Sequence, residues 1–246
     1  MKDVVVLDPF RTPILMTHWG DSEQLNDQLH AAIRTRRQGS AGVQGSNRGG
    51  WHSEVGFEEW EEPGVKELFR RAQEMSEVFV DEIMQLPADT YRFAWRFSAW
   101  AVVNERGDYN VPHNHPTAAW SGVYYVRAEP TSPDTPQAGC IEFQDPRSGI
   151  CAARPAAMYG HSWHRVVPRP GLMLIFPSWL THFVHPYAGE SERVVVSFDA
   201  VLTHEGYDFE RIVQATSEGR LGRRIAPRLG RPPEALGPAD PGTSSD

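Results

Sequence analysis

Residues 171–199 read GLMLIFPSWLTHFVHPYAGESERVVVSFD. One apolar run, Leu172 to Phe176, is closed by Pro177 and Ser178; a second, Val194 to Phe198, follows a Gly- and Glu-bearing turn. Both have the length and the β-branched or aromatic content of strands. Between them stands His182, and eleven positions later Arg193 heads the second run. A guanidinium flanked by Val194, Val195 and Val196 is costly to bury unless it meets an anion, and its planar fork suits a carboxylate; the bland alternative is a surface arginine on an edge strand.

Outward from this stretch the same texture continues toward the N-terminus. YRFAWRFSAWAVVN (91–104), SGVYYVRAE (121–129) and GCIEFQDP (139–146) are short runs rich in Val, Ile, Trp, Tyr and Phe, separated by Gly, Pro and Asp. They predict a sheet-rich half without helical crossovers, hence an antiparallel sandwich or barrel. Before residue 91 the period changes. Leu25, Leu29 and Ile33 form one helical stripe begun by Asp21 or Ser22 as a cap, and Val65, Leu68, Phe69, Ala72, Met75, Phe79 and Ile83 form another that starts at Pro63. Between them residues 38–50 are Gly/Ser-rich and predict a mobile loop. Val4 to Leu7 is a strand candidate, and the Pro-, Gly- and Arg-rich tail from about Ser217 is expected to be disordered. The expected organisation is one mainly β domain with flanking helices (α+β), residues 1–216, with helical support over about 22–86, a β core over about 91–203, and a tail at 217–246.

A chain of 246 residues with 40% apolar content can bury a full core. Its formal charge of −8 speaks against a nucleic-acid or anionic-membrane surface, so a small-molecule partner is expected. Cys140 and Cys151 do not form a CxxC, which argues against a disulfide scaffold or a thiolate zinc site. With no basic leader and no long apolar segment, a cytoplasmic location is expected. The oligomeric state, a homodimer included, is open.

VPHNHP, residues 111–116, puts two histidines one residue apart. On a strand, positions i and i+2 share a face, so His113 and His115 can aim at one ion; two surface histidines are the competing reading. Together with His182 and Arg193 the pattern resembles the iron(II)- and 2-oxoglutarate-dependent oxygenases, and more narrowly a largely uncharacterised bacterial family of them, over about residues 95–200. The GGWHS at 49–53 adds to the likeness. The resemblance implies a double-stranded β-helix (jelly-roll, cupin-like) core, with Fe(II), 2-oxoglutarate and O2 as cofactors. It implies metal ligation by His113 and His182, with Arg193 as the anchor for the 2-oxoglutarate tail, and hydroxylation of a small molecule such as an amino acid or natural-product intermediate. Where the superfamily has an HxD or HxE, this chain has His113-Asn114-His115. A three-imidazole face is therefore about one negative charge short of a two-His, one-carboxylate site. A further likeness to the aspartyl/asparaginyl hydroxylases, through Pro116-Thr117, leaves open whether His115 ligates or stands behind the ligands.

Ser197 lies on the Arg193 side of its strand and is expected to donate to the same carboxylate; Tyr125 and Ser121 share one face of SGVYYV as candidates for the cofactor wall, with core packing as the alternative and the preferred reading for Tyr124. His185 is expected to be structural or substrate-facing, the HSWH at 161–164 to be loop, His52 to line a substrate mouth, and Asp145 or Arg147 of QDPR either to border the site or to form a capped, salt-bridged turn. Segments 38–50 and 127–139 are candidates for excluding water. Two other functions compete: a three-His cupin-type dioxygenase that needs no 2-oxoglutarate and has no use for Arg193, and a non-catalytic ligand-binding β-barrel.

Overall fold

The computed structural model describes residues 11–84, 90–147 and 163–217. In chain order these form β1 (Leu15–His18), α1 (Glu23–Gln38), β2 (Asn47–Arg48), β3 (Trp51–His52), a 3-10 turn (Phe57–Glu59), α2 (Pro63–Met84), β4 (Tyr91–Asn104), β5 (Tyr109–His113), β6 (Trp120–Arg127), β7 (Ile141–Gln144), β8 (Trp163–Val166), β9 (Leu172–Pro177), β10 (His182–Val184), β11 (Arg193–Tyr207) and α3 (Phe209–Ser217). The strands make two antiparallel sheets, of order β1-β9-β6-β11-β4-β3 and β2-β5-β10-β7-β8. This is a double-stranded β-helix with helices on the larger sheet. The strand candidate at Val4 to Leu7, Cys151 and the tail beyond Ser217 lie outside the described residues.

The central strands are apolar throughout because each has two covered faces. On β11, Val194, Val196, Phe198 and Ala200 pack toward the helices with Leu29, Leu68 and Phe79. Val195 points the other way, between the sheets, with Val102, Val123, Phe143, Leu174 and Phe176. Period-2 geometry then sends Arg193, Ser197 and Asp199 inward with Val195. The pairing of β11 with β4 and β6 sets Arg193 opposite Asn104, Ser197 opposite Trp100 and Val123, and Asp199 opposite Ser121. α1 is tied to this sheet where the buried Tyr124 hydroxyl donates to Asn26 Oδ1 at 2.7 Å, so Tyr124 belongs to the helix-facing core.

Gly122 sits opposite Phe198 in β6, and a Cβ there would run into the Phe198 ring. Gly122→Ala is expected to destabilise by about 1–3 kcal/mol through overpacking, seen as a melting temperature lower by about 2–12 °C. A melting temperature unchanged within a degree would contradict this packing.

Several expectations are corrected. Ser22 stands at the N-cap of α1 but makes no side-chain cap bond, and Asp21 instead pairs with Arg71 on α2. Ile83 is 45% exposed, off the buried stripe of α2, because the helix has run past the edge of the sheet's core. Residues 38–50 are not a free loop. The Asn47 side chain accepts from Gly45 N and donates to Gly49 O, Val111 N bonds Ser46 O, and β2 pairs with β5. Gly49 and Gly50 supply the positive φ this path needs, so the composition that suggested mobility serves a tight turn. No described helix is long and apolar enough to cross a membrane.

Candidate metal centre

His113 is the last residue of β5 and His182 the first of β10, and the two are direct cross-strand partners, with ring centroids 4.4 Å apart. His115 arrives differently. It lies past the end of β5 in a turn held by His115 N to Ser178 O and Ala118 N to His115 O, so it reaches the site from the turn and not by the strand alternation expected of HxH. Its ring is 5.1 Å from that of His113 and 5.4 Å from that of His182. One nitrogen from each of the three lies within 4.8 Å of the others.

The hydrogen bonds behind these rings decide which nitrogen faces an ion. His113 Nδ1 bonds Val111 O at 2.7 Å, and His182 Nδ1 bonds Leu180 O at 2.9 Å. A carbonyl oxygen only accepts, so both Nδ1 atoms carry the proton and both Nε2 atoms keep a lone pair. His115 Nδ1 meets Asp199 Oδ2 at 3.1 Å, with the same consequence. Burial holds His113 below the ordinary histidine range; in His182 burial first, then the neighbouring His113, drives it down to about 3. Both are neutral near pH 7, the form in which imidazole binds a metal. The donor set, three neutral imidazoles each held from behind, fits a divalent transition metal on one face.

The histidines and Arg193 line one cavity of about 50 Å³ between the sheets, with Ser46, Trp100, Ser121, Ser197 and Phe176. Arg193 is 2% exposed. Its Nε donates to Gly139 O at 3.1 Å, its Nη1 donates to Asn104 Oδ1 at 3.0 Å, and the guanidinium lies 5.2 Å from the centre of the Tyr125 ring. Among the described residues no carboxylate lies within 4.0 Å of it. Of the three buried side-chain polar atoms without a partner there, two, Asn104 Nδ2 and the Tyr125 hydroxyl, belong to its immediate neighbours. Burial raises the Tyr125 hydroxyl pKa against the charge and close approach of the Arg193 guanidinium, so the phenol stays protonated and its O–H proton is without an acceptor.

Of the other sequence candidates, Ser197 lines the cavity with Arg193. Ser121 also lines the cavity, and its hydroxyl donates to Asp199 Oδ1 at 2.6 Å. His185 Nε2 bonds Glu142 at 2.7 Å, apart from the three histidines. His161 is outside the described residues, while His164 is on strand β8 and not in a loop. Asp145 and Arg147 form an ion pair at 2.6 Å and, with His164, Gln144, Phe143 and Leu180, line a second cavity of about 520 Å³. His52 stacks on Trp100, whose other neighbour is His115, with centroids at 5.8 and 5.6 Å. Sequence reasoning missed Asn104, Asp199 and Trp100. The even spacing 193, 195, 197, 199 was a signal for Asp199; Asn104 had none short of the register.

Residues 98–199 match the model of the family described as "Putative 2OG-Fe(II) oxygenase". That span holds all three histidines, Arg193 and Asp199, and Fe(II) and 2-oxoglutarate are the cofactors for which the family is named. No curated protein sequence matches the chain. Among solved structures it is similar to a Pseudomonas putida prolyl-4-hydroxylase, at 15% identity over 77% of this chain and 92% of that one, with a TM-score of 0.52. It is also similar to two non-haem α-ketoglutarate-dependent proteins of nogalamycin biosynthesis. These are the carbocyclase SnoK (13%, 85% and 87% of the chains, 0.51) and the epimerase SnoN (15%, 80% and 81%, 0.52). At such identities the likeness is one of fold, and one 2OG-Fe(II) oxygenase fold here accompanies a hydroxylase, a carbocyclase and an epimerase.

Proposed function

We propose that this chain is an Fe(II)- and 2-oxoglutarate-dependent oxygenase acting on a small molecule. His113, His115 and His182 hold the metal, and Arg193, Tyr125 and Asn104 receive the far carboxylate of 2-oxoglutarate. The observation that carries this reading is the buried Arg193 with two unpartnered donors beside it. A buried cation without an anion is costly, and a phenol O–H and an amide N–H left without acceptors add to the cost. A carboxylate has the lone pairs to satisfy all three at once. A three-His centre that needs no 2-oxoglutarate has no such need at Arg193.

Iron held by His113, His115 and His182 would couple the four-electron reduction of O2 to two two-electron oxidations, that of 2-oxoglutarate to succinate and CO2 and that of the substrate. The chain's part is placement. The histidines and Arg193 line one cavity together with Trp100, Val102, Phe176 and Ser46 of the 38–50 segment, a lining that favours a site shielded from water. Phe143, whose ring is 6.0 Å from that of His182, lines the separate cavity of about 520 Å³, and its position beside the histidines supports that cavity as the candidate substrate site. Hydroxylation is the default outcome. Anaerobic addition of Fe(II) and 2-oxoglutarate is expected to produce a weak visible charge-transfer band, and air then releases succinate. Neither signal with fully metal-loaded protein would exclude the class.

A further inference from the structure

The missing carboxylate of the HxH motif has a counterpart elsewhere in the chain. Asp199 faces inward from β11, its side chain 14% exposed, and both of its oxygens are engaged: Oδ2 with His115 Nδ1 at 3.1 Å and Oδ1 with the Ser121 hydroxyl at 2.6 Å. Ser121 is its direct partner in the pairing of β6 with β11, so the sheet itself holds the carboxylate in place. Trp100 stacks on the face of the same His115 ring, which prevents the imidazole from turning away. Among the described residues no lysine or arginine lies within 4.0 Å of Asp199; its one cationic-capable partner is His115.

From this arrangement we infer that Asp199 is the positioning residue of the metal centre. It fixes the His115 ring with Nε2 toward the ion and supplies, one bond removed, the negative charge that a three-imidazole face lacks. A carboxylate behind an imidazole raises its basicity as a ligand, and losing such a partner costs about 10- to 100-fold in metal affinity. An inward-facing carboxylate with no Lys or Arg beside it is itself stabilised when a divalent cation binds on the other side of the ring. His115 is thereby a ligand and not a bystander. The inference rests on the three-histidine reading above.

Mn(II) alone, followed by EPR titration of the full chain, is the probe, because it reports binding without turnover. Asp199→Asn keeps the size and still accepts from His115 Nδ1 but removes the charge, and it is expected to weaken Mn(II) by about 10- to 100-fold while the metal-free melting temperature stays within a few degrees. Asp199→Glu, which restores the charge, is expected to recover part of the affinity. Should Asp199→Asn fail to fold, Ser121→Ala reads the same contact by freeing Asp199 to leave His115, with a smaller loss of affinity. Unchanged Mn(II) affinity in either folded variant overturns the inference. If wild-type protein itself binds no stoichiometric Mn(II), the three-histidine reading fails first, which the wild-type arm alone reveals.

Discussion

Arg193→Met is expected to leave metal affinity nearly intact and to weaken 2-oxoglutarate by roughly 30- to 5000-fold, the equivalent of about 2–5 kcal/mol for a buried charged pair. The size follows from the surroundings. The guanidinium is 2% exposed, and in the proposed site its loss would leave Tyr125 and Asn104 to hold the carboxylate without a cation. The metal-side histidines are untouched, since their supporting bonds run to Val111, Leu180 and Asp199 and none to Arg193. Arg193→Lys recovers only part of the loss, because a point charge cannot reproduce the two-bond fork. The measurement is the 2-oxoglutarate-dependent rise in melting temperature with Mn(II) under argon. A ligand bound only to the native state stabilises by about 2.7 kcal/mol at a hundred times its Kd, and that increment should vanish in the methionine variant. Equal rises in both proteins would remove Arg193 from the site, and no rise in the wild type would remove 2-oxoglutarate from the function.

His113→Ala and His182→Ala are each expected to abolish stoichiometric metal binding, a loss beyond the 10- to 100-fold typical of a group standing behind a ligand. The two differ in what they do to the fold. His113 is half-buried at a strand end, so its truncation is mild. His182 is 5% exposed and packs against Phe176 at 4.8 Å, so alanine there also leaves a cavity, worth on the order of 2–4 kcal/mol. Metal titration alongside a denaturant melt separates the two effects. Full metal occupancy in either folded variant contradicts the assignment.

Much of this molecule could be read along the chain. The apolar runs became β4, β6, β7, β9 and β11, the 3.6-residue stripes became α1 and α2, Arg193 stood out because a charge inside an apolar strand needs a partner, and His113 and His182 stood out through the HxH spacing, the eleven-residue spacing to Arg193 and the family resemblance. The parity of a strand also placed Ser197 on the side of Arg193. Which side that was could not be read, because the central strands are covered on both faces and their hydrophobicity does not alternate. Segment 38–50 misled for a related reason: Gly and Ser are equally consistent with a free loop and with a tight path held by Asn47.

What only the tertiary structure decided is the company these residues keep. Asn104 lies 89 residues from Arg193 and Asp199 lies 84 from His115, and each pair meets through contacts between distant segments that no local pattern encodes. The chain order determines that a strand exists and which residues share its face. Register is set by the packing of both buried faces at once, and it is register that leaves Arg193 beside two unpartnered donors and puts a carboxylate behind the one histidine that stands where a carboxylate was expected.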